Sequence, residues 1–402
     1  MTIAQDAARN NDAGVPKIST WLGLTILWFA GANLRITVLA VPPVLPLIHD
    51  ELHLSEKLIG ALSSVPVLLL AIAAVTGSLL TARLGARRAL LVGLVLVAVA
   101  GAARGVGPST STLFTMTALM GLGVAIMQPV LPTLVRNWFP ARIGLATAVY
   151  SNGLLVGEAL SASLTIPYVL PLVNNDWAIS FVFWSIPALQ TAIAVVLLTP
   201  RERQIDTTAG RAWWPDFRDP RVWGAGLILG GAGAGYFTTN AFLPDFLHHH
   251  GQATFVSPAL TALNLGQLPA SFVILAFSSQ LTGKRLPLVI GGVAMVISGI
   301  GMAMSTPGLL TSIWAGAMGF LTAFGLILSL ALPALLAAPA DVPRFSAGMF
   351  TIGYLITFFA PIAGGAAWDL TQNAAFAFAP PAVGGLILAL GAIGLASVTR
   401  HS

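Results

Sequence analysis

From residue 18 onward the chain is a succession of long apolar runs separated by short polar breaks. A helix crosses the hydrocarbon core of a bilayer when it offers about 20 mainly apolar residues. Twelve runs come close to or exceed that length, near 18–48, 57–81, 89–107, 110–135, 144–171, 177–199, 221–247, 257–281, 286–305, 309–336, 345–368 and 376–398. They predict an all-α polytopic membrane protein of twelve transmembrane helices. Several runs carry prolines in their cores: Pro42 and Pro43, Pro66, Pro129, Pro132, Pro269, Pro333 and Pro361. Spanning helices tolerate such breaks where neighbours satisfy the freed backbone groups. Polar residues precede the first run, which is too long for the apolar core of a cleavable signal.

The longest interior polar stretch, 200–220, falls at the middle of the chain and reads as a linker. The expected organisation is a tail (1–17), a six-helix bundle (18–199), the linker (200–220), a second six-helix bundle (221–398) and a short tail (399–402). An offset of 202 residues pairs Pro42 with Pro244, Ser55 with Ser257 and Arg142 with Arg344, and Pro66 meets Pro269 at nearly that offset. With the central linker, this favours two parallel, pseudo-symmetric repeats.

Composition agrees. Hydrophobic residues make up 56% and charged residues only 8%, against about 25% charged in soluble domains. The net charge of +5 does not point to nucleic acid, because its distribution follows topology. Arg83, Arg87 and Arg88, then Arg136 and Arg142, the 201–221 stretch, Lys284 and Arg285, and Arg344 fall on one side with Lys17 and Arg400. The other side has only Lys57 and Arg104. The positive-inside rule then puts both termini in the cytoplasm, which requires an even number of spans. Short loops suggest a bacterial inner membrane. Trp21, Trp177 and Trp223 fall at span ends, as interfacial anchors do.

Absent cysteine excludes disulfides, thiolate metal sites and cysteine nucleophiles. Three successive histidines, His248 to His250, do not converge on one ion from a loop, so no metal is expected. The glycines from Gly230 to Gly235 lie in an apolar span without a phosphate-loop lysine, so close helix packing explains them better. No cofactor, nucleotide site or nucleophile–base pair is evident. The chain is not expected to be an enzyme, and a gradient is the expected energy source.

Arg35 lies near the middle of the first span. A charge at that depth costs roughly 2.5–3.5 kcal/mol on insertion scales and ordinarily faces a cavity or a partner. Its guanidinium stays protonated and its planar fork matches a carboxylate or another small anion. Arg35 either binds an anion or forms a structural ion pair. Glu158 lies at similar depth in the fifth span, with Ser151 and Thr165 seven residues to either side on nearly the same face. It can pair with Arg35 in an empty site and take a proton when an anion displaces it, or it only orients the arginine.

At the repeat offset Arg35 corresponds to Phe237 and Glu158 to Ala360, so the deep charges belong to the first half alone. The second half offers neutral stripes: Tyr236, Thr239 and Asn240; Asn264 and Gln267; Tyr354 and Thr357. Each either lines a central cavity or bonds between helices. Trp28, seven residues before Arg35, reads as packing. The candidate substrate site comprises Arg35, its neighbour Asn33, Glu158, Ser151, Tyr236, Asn240, Asn264, Gln267 and Tyr354, with Glu158 as the proton-coupling candidate.

The loop after the second span runs from Ser78 through Arg83, Gly85, Arg87 and Arg88. It resembles the loop signature of the major facilitator superfamily: glycine, apolar residues, an acid, a base, glycine, then bases. Ser78 stands at the first glycine and Ala82 at the acid. Asn33, Leu34 and Arg35, followed by Val41, Pro42, Pro43, Val44 and Leu45, resemble the cyanate and 2-nitroimidazole transporter family, with Pro42 in place of a glycine. The segment from Asn137 through Arg142 to Gly144, then Tyr150, Ser151, Asn152, Gly153 and Gly157, is similar to that family's fourth-to-fifth helix region. The resemblance implies a secondary active transporter of a small anionic or polar organic molecule, working by alternating access. Expected partners are that solute, the lipid bilayer and protons, with no nucleic acid, for a monomeric chain. Two other readings stay open: an exporter of neutral aromatic compounds such as nitroimidazoles, and a membrane sensor without flux.

Overall fold

A computed structural model describes residues 18–54, 56–107, 109–200 and 212–399. The expected tail 1–17, the end of the chain from 400 and the 201–211 part of the expected linker lie outside these residues. Lipid offers no hydrogen bonds, so an apolar chain in a bilayer must satisfy its backbone internally. The described residues accordingly form helices and no strand. In the first half these are α1 (Thr20–Ala32), α2 (Ile36–Leu39), α3 (Leu45–Leu52), α4 (Glu56–Ile72), α5 (Ala74–Leu84), α6 (Ala86–Ala103), α7 (Thr110–Trp138), α8 (Ile143–Leu164), α9 (Leu170–Leu172) and α10 (Trp177–Leu198). In the second half they are α11 (Pro220–His249), α12 (Val256–Leu265), α13 (Gln267–Leu281), α14 (Arg285–Met304), α15 (Leu309–Leu336), α16 (Val342–Thr371) and α17 (Ala379–Thr399).

Ten helical segments are each long and apolar enough to cross a membrane, and α4 with α5, bent by 53°, make an eleventh. Among the described residues the count is thus ten or eleven and not the expected twelve. The predicted run 221–247 is helical as α11 and 30 residues long, but six glycines between Gly224 and Gly235 dilute its hydropathy. Large apolar side chains such as Val99, Leu197, Leu286 and Leu390 are more than half exposed, as a lipid-facing surface requires. The chain is thus an all-α polytopic membrane protein.

Side chains close the helix ends at the polar faces. Asp176 accepts from the backbone N–H groups of Ala178 and Ile179 to cap α10. Asp219 caps α11, and Pro220 follows where its missing N–H does no harm. Asp219 also pairs with Arg221 at 2.9 Å. Partial burial pushes the Asp219 carboxyl up, but the hydrogen bonds and charge of Arg221 outweigh it and hold the group below its ordinary range. Just before this cap, the Trp213 carbonyl accepts a 2.7 Å hydrogen bond from Ser78 of α5. The end of the linker is thereby fastened to the first half.

Two features of this packing position the site. The helices α1 and α8 touch along their backbones: a Cβ on Gly31 would lie 2.0 Å from the Tyr150 carbonyl oxygen, and one on Gly153 2.1 Å from that of Trp28. Only glycine permits that approach. Across the midline, α16 packs on α4, α5 and α7, while α8 packs on α13 and α15.

Candidate functional site

The first span is broken where its charge sits. The helix α1 ends at Ala32, and Asn33, Leu34 and Arg35 form an irregular turn before α2. The Asn33 side-chain amide donates to the Phe29 carbonyl at 2.8 Å and to Thr191 Oγ1 of α10 at 3.0 Å. Such local side-chain bonds compete with helical pairing. At Arg35 the backbone leaves the helical region, with φ −124°, and the side chain enters the space between the halves.

Arg35 Nε lies 3.9 Å from Glu158 Oε2, and both side chains are about nine-tenths buried. That distance is an ion pair but not a hydrogen bond. The guanidinium makes no hydrogen bond to any described residue, and its carbon sits 5.9 Å from the centre of the Phe237 ring. A buried guanidinium with its N–H donors unengaged has the geometry to take a carboxylate or another small anion.

Glu158 meets the second half through Tyr236, whose hydroxyl lies 2.7 Å from Glu158 Oε1 and 2.7 Å from Asn264 Oδ1. Asn264 donates its amide to the Leu260 carbonyl at 2.8 Å, which fixes its oxygen toward the tyrosine. Asn240 Nδ2 donates to the same hydroxyl at 3.3 Å. A phenol has one hydrogen and cannot donate to two acceptors. With Glu158 ionised, the hydrogen goes to the carboxylate, and the Asn264 oxygen faces the tyrosine oxygen bare. With Glu158 protonated, the carboxyl donates to Tyr236, which donates to Asn264 and accepts from Asn240, and every group is satisfied.

A cavity of about 490 Å³ opens from Arg35 toward the face opposite the linker. Arg35, Glu158, Tyr236 and Asn240 line it, as do Thr117, Thr357, Phe237 and Phe358. Behind them a recess of about 30 Å³ adds Gln267 and Tyr354. On the linker side the halves are tied shut. Gln128 Nε2 donates to the Tyr354 hydroxyl at 2.9 Å, Asn152 Nδ2 to Ser271 Oγ at 2.9 Å, and the Tyr150 hydroxyl to the Leu330 carbonyl at 3.4 Å. Trp28 supports this seam by donating to Asn152 Oδ1 at 2.9 Å.

Most of the predicted set therefore converges: Arg35, Glu158, Tyr236 and Asn240 on the cavity, Gln267 and Tyr354 on the recess, and Asn264 through the Tyr236 hydroxyl. Two residues do not join them. Asn33 is engaged with α10, and Ser151 is buried and lines neither the cavity nor the recess. Phe237, Thr117 and Phe358 line the cavity and were not among the candidates; only Phe237 carried a signal, as the repeat mate of Arg35. Arg104 is also not the loop charge that its place in the chain suggested. It is fully buried, with its guanidinium 4.0 Å from the Phe181 ring.

Comparison with known proteins follows the same lines. The family model described as Major Facilitator Superfamily matches residues 27–365. The cyanate transport protein CynX of Escherichia coli (strain K12) is 28% identical over 359 residues, covering 87% of this chain and 91% of its own. The 2-nitroimidazole transporter of the same organism is 25% identical over 365 residues, covering 89% and 90%. Among solved structures, the proton:xylose symporter XylE bound to 6-bromo-6-deoxy-D-glucose superposes with a TM-score of 0.75, covering 92% of this chain and 94% of its own. At 16% identity that likeness concerns the fold alone.

Proposed function

Because the chain belongs to the major facilitator superfamily, we propose that it is a secondary active transporter that carries a small anionic or polar organic solute by alternating access. The observation that carries this reading is Arg35, a buried guanidinium with no hydrogen bond to a described residue at the closed end of a cavity between the halves. The relative that transports cyanate supports an anion. By the positive-inside rule the arginine-rich linker face is cytoplasmic in the inner membrane, so the cavity faces outward.

The geometry suggests a proton-coupled cycle. An anion entering the cavity forms bidentate bonds with Arg35 and displaces Glu158. The freed carboxylate takes a proton, which Tyr236 and Asn264 accommodate. Anion and proton cross together, and the site moves no net charge. The halves then rock about the filled site and open it on the other face.

A second reading, transport of neutral aromatic compounds, has its own support in the rings of Phe237 and Phe358 on the cavity wall and in the 2-nitroimidazole transporter among the relatives. Counterflow in proteoliposomes separates the two. The anion reading expects saturable exchange of a labelled small anion by wild type and none by Arg35→Gln. Equal exchange of a labelled nitroimidazole by both proteins, with no anion flux, would overturn it.

A further inference from the structure

The polar capacity of the cavity is concentrated at one end. Glu158, Tyr236 and Asn240 are bonded into one network. Thr357 Oγ1 donates to the Gly353 carbonyl at 2.9 Å. That leaves the Arg35 guanidinium, the side-chain oxygen and second amide hydrogen of Asn240, and the Thr117 hydroxyl, which is buried and has no partner. Every other lining residue is hydrocarbon, sulfur or proline, including Val38, Val41, Leu62, Val67, Met120 and Ile362. A volume of about 490 Å³ falls within the range of pockets that enclose drug-sized ligands. A triatomic anion at Arg35 would leave nearly all of that wall facing water. A polyol would bring many hydroxyls to a wall with few free donors or acceptors, all outnumbered by apolar groups, and each unpaired hydroxyl would weaken its binding.

We infer that the solute is an organic monoanion with a single charged head and an apolar body, of the alkyl or aromatic monocarboxylate class. This rests on the transporter reading above and narrows it. The carboxylate binds Arg35 at the closed end, and the body lies outward along the wall of Val41, Val67 and Ile362. Size and apolarity of the body, not the head alone, set affinity.

The test is a thermal-shift and competition series on the detergent-purified full chain. Its probes are cyanate, acetate, butyrate, hexanoate and benzoate, with the uncharged hexanamide and benzamide. A ligand that binds the folded state raises its stability. The expected result is affinity rising roughly three- to fourfold per added methylene, benzoate far above acetate, and the amides much weaker than their acids. In Arg35→Gln the acids fall to the level of the amides. Should that variant not fold, Val67→Thr, which keeps the shape and exchanges a methyl for a hydroxyl, reports separately: it lowers the gain per methylene, and an undiminished gain per methylene overturns the apolar-wall inference. If cyanate or acetate binds as tightly as hexanoate, and binding needs Arg35, the chain-length inference is wrong while the anion reading stands. If the amides bind as well as the acids in wild type and in Arg35→Gln, both are wrong.

Discussion

The pairing of Arg35 with Glu158 makes a quantitative prediction for Glu158→Gln. The two charges are 3.9 Å apart and about nine-tenths buried. At an effective dielectric of about 20, that separation is worth about 4 kcal/mol of attraction. An incoming carboxylate must replace this interaction in wild type when Glu158 is ionised. In the glutamine variant nothing competes, so the anion binds more tightly. The full 4 kcal/mol corresponds to about a thousandfold, and screening by water in the cavity reduces it, so a gain of tenfold or more is expected. Titration calorimetry with benzoate at one pH measures the gain. In proteoliposomes the variant should retain counterflow and lose accumulation driven by a pH gradient. If Glu158→Gln weakens binding, or still accumulates solute along a pH gradient, Glu158 supports the site only structurally and the proton-coupled cycle is wrong.

Four further expectations concern the scaffold and access to its two faces. In Gly153→Ala the new methyl would sit 2.1 Å from the Trp28 carbonyl oxygen, so α1 must move off α8; overpacking of this kind costs about 1–3 kcal/mol, visible as a lower melting temperature and a blunted response to anions. Arg104 is buried with two guanidinium nitrogens unpartnered, a burden of about 1–3 kcal/mol, so Arg104→Met should raise the melting temperature, whereas a drop would show that its contacts with Phe181 and the Gly101 carbonyl outweigh that burden. The chain has no cysteine, so single-cysteine labelling is clean: Ile362→Cys at the cavity should react with an impermeant maleimide from outside and be shielded by bound anion. Asn137 lines a small cavity near the linker end; in an Asn137→Cys background, Ser78→Ala removes the bond to Trp213, worth about 1 kcal/mol, and should increase labelling from the linker face.

The fold was largely legible in the sequence because lipid leaves a chain few choices. Runs of about 20 apolar residues fix the spans, and arginine placement separates the two faces. Arg35 and Glu158 stood out for the same reason: charge at bilayer depth is too costly to be incidental. Spacing of three or four also gathered Tyr236, Asn240 and Asn264 onto the right faces. Other features were not legible. The break at Asn33 lies inside a stretch that reads as one continuous span, and it is fixed by bonds to the Phe29 carbonyl and to Thr191 of a distant helix. A lone hydrophobe such as Phe358 looks alike whether it faces lipid, core or cavity. Arg104 looked like a loop charge because its neighbours in sequence are loop-like, and its burial depends on Phe181, far along the chain.

The close seam between α1 and α8 has a consequence for how a transporter of this design would know that it is loaded. Gly31 and Gly153 hold those helices backbone to backbone, and Arg35 and Glu158 both belong to the first half. In the proposed cycle a rigid tilt of the halves would leave their separation unchanged, and the pair alone would not sense which way the protein faces. Of the hydrogen bonds around Glu158, the one that reaches the other half is from Tyr236. In the proposed cycle, occupancy at Arg35 would therefore reach the other half through that phenolic hydroxyl. Tyr236→Phe would leave the receptor able to hold its anion and unable to announce it.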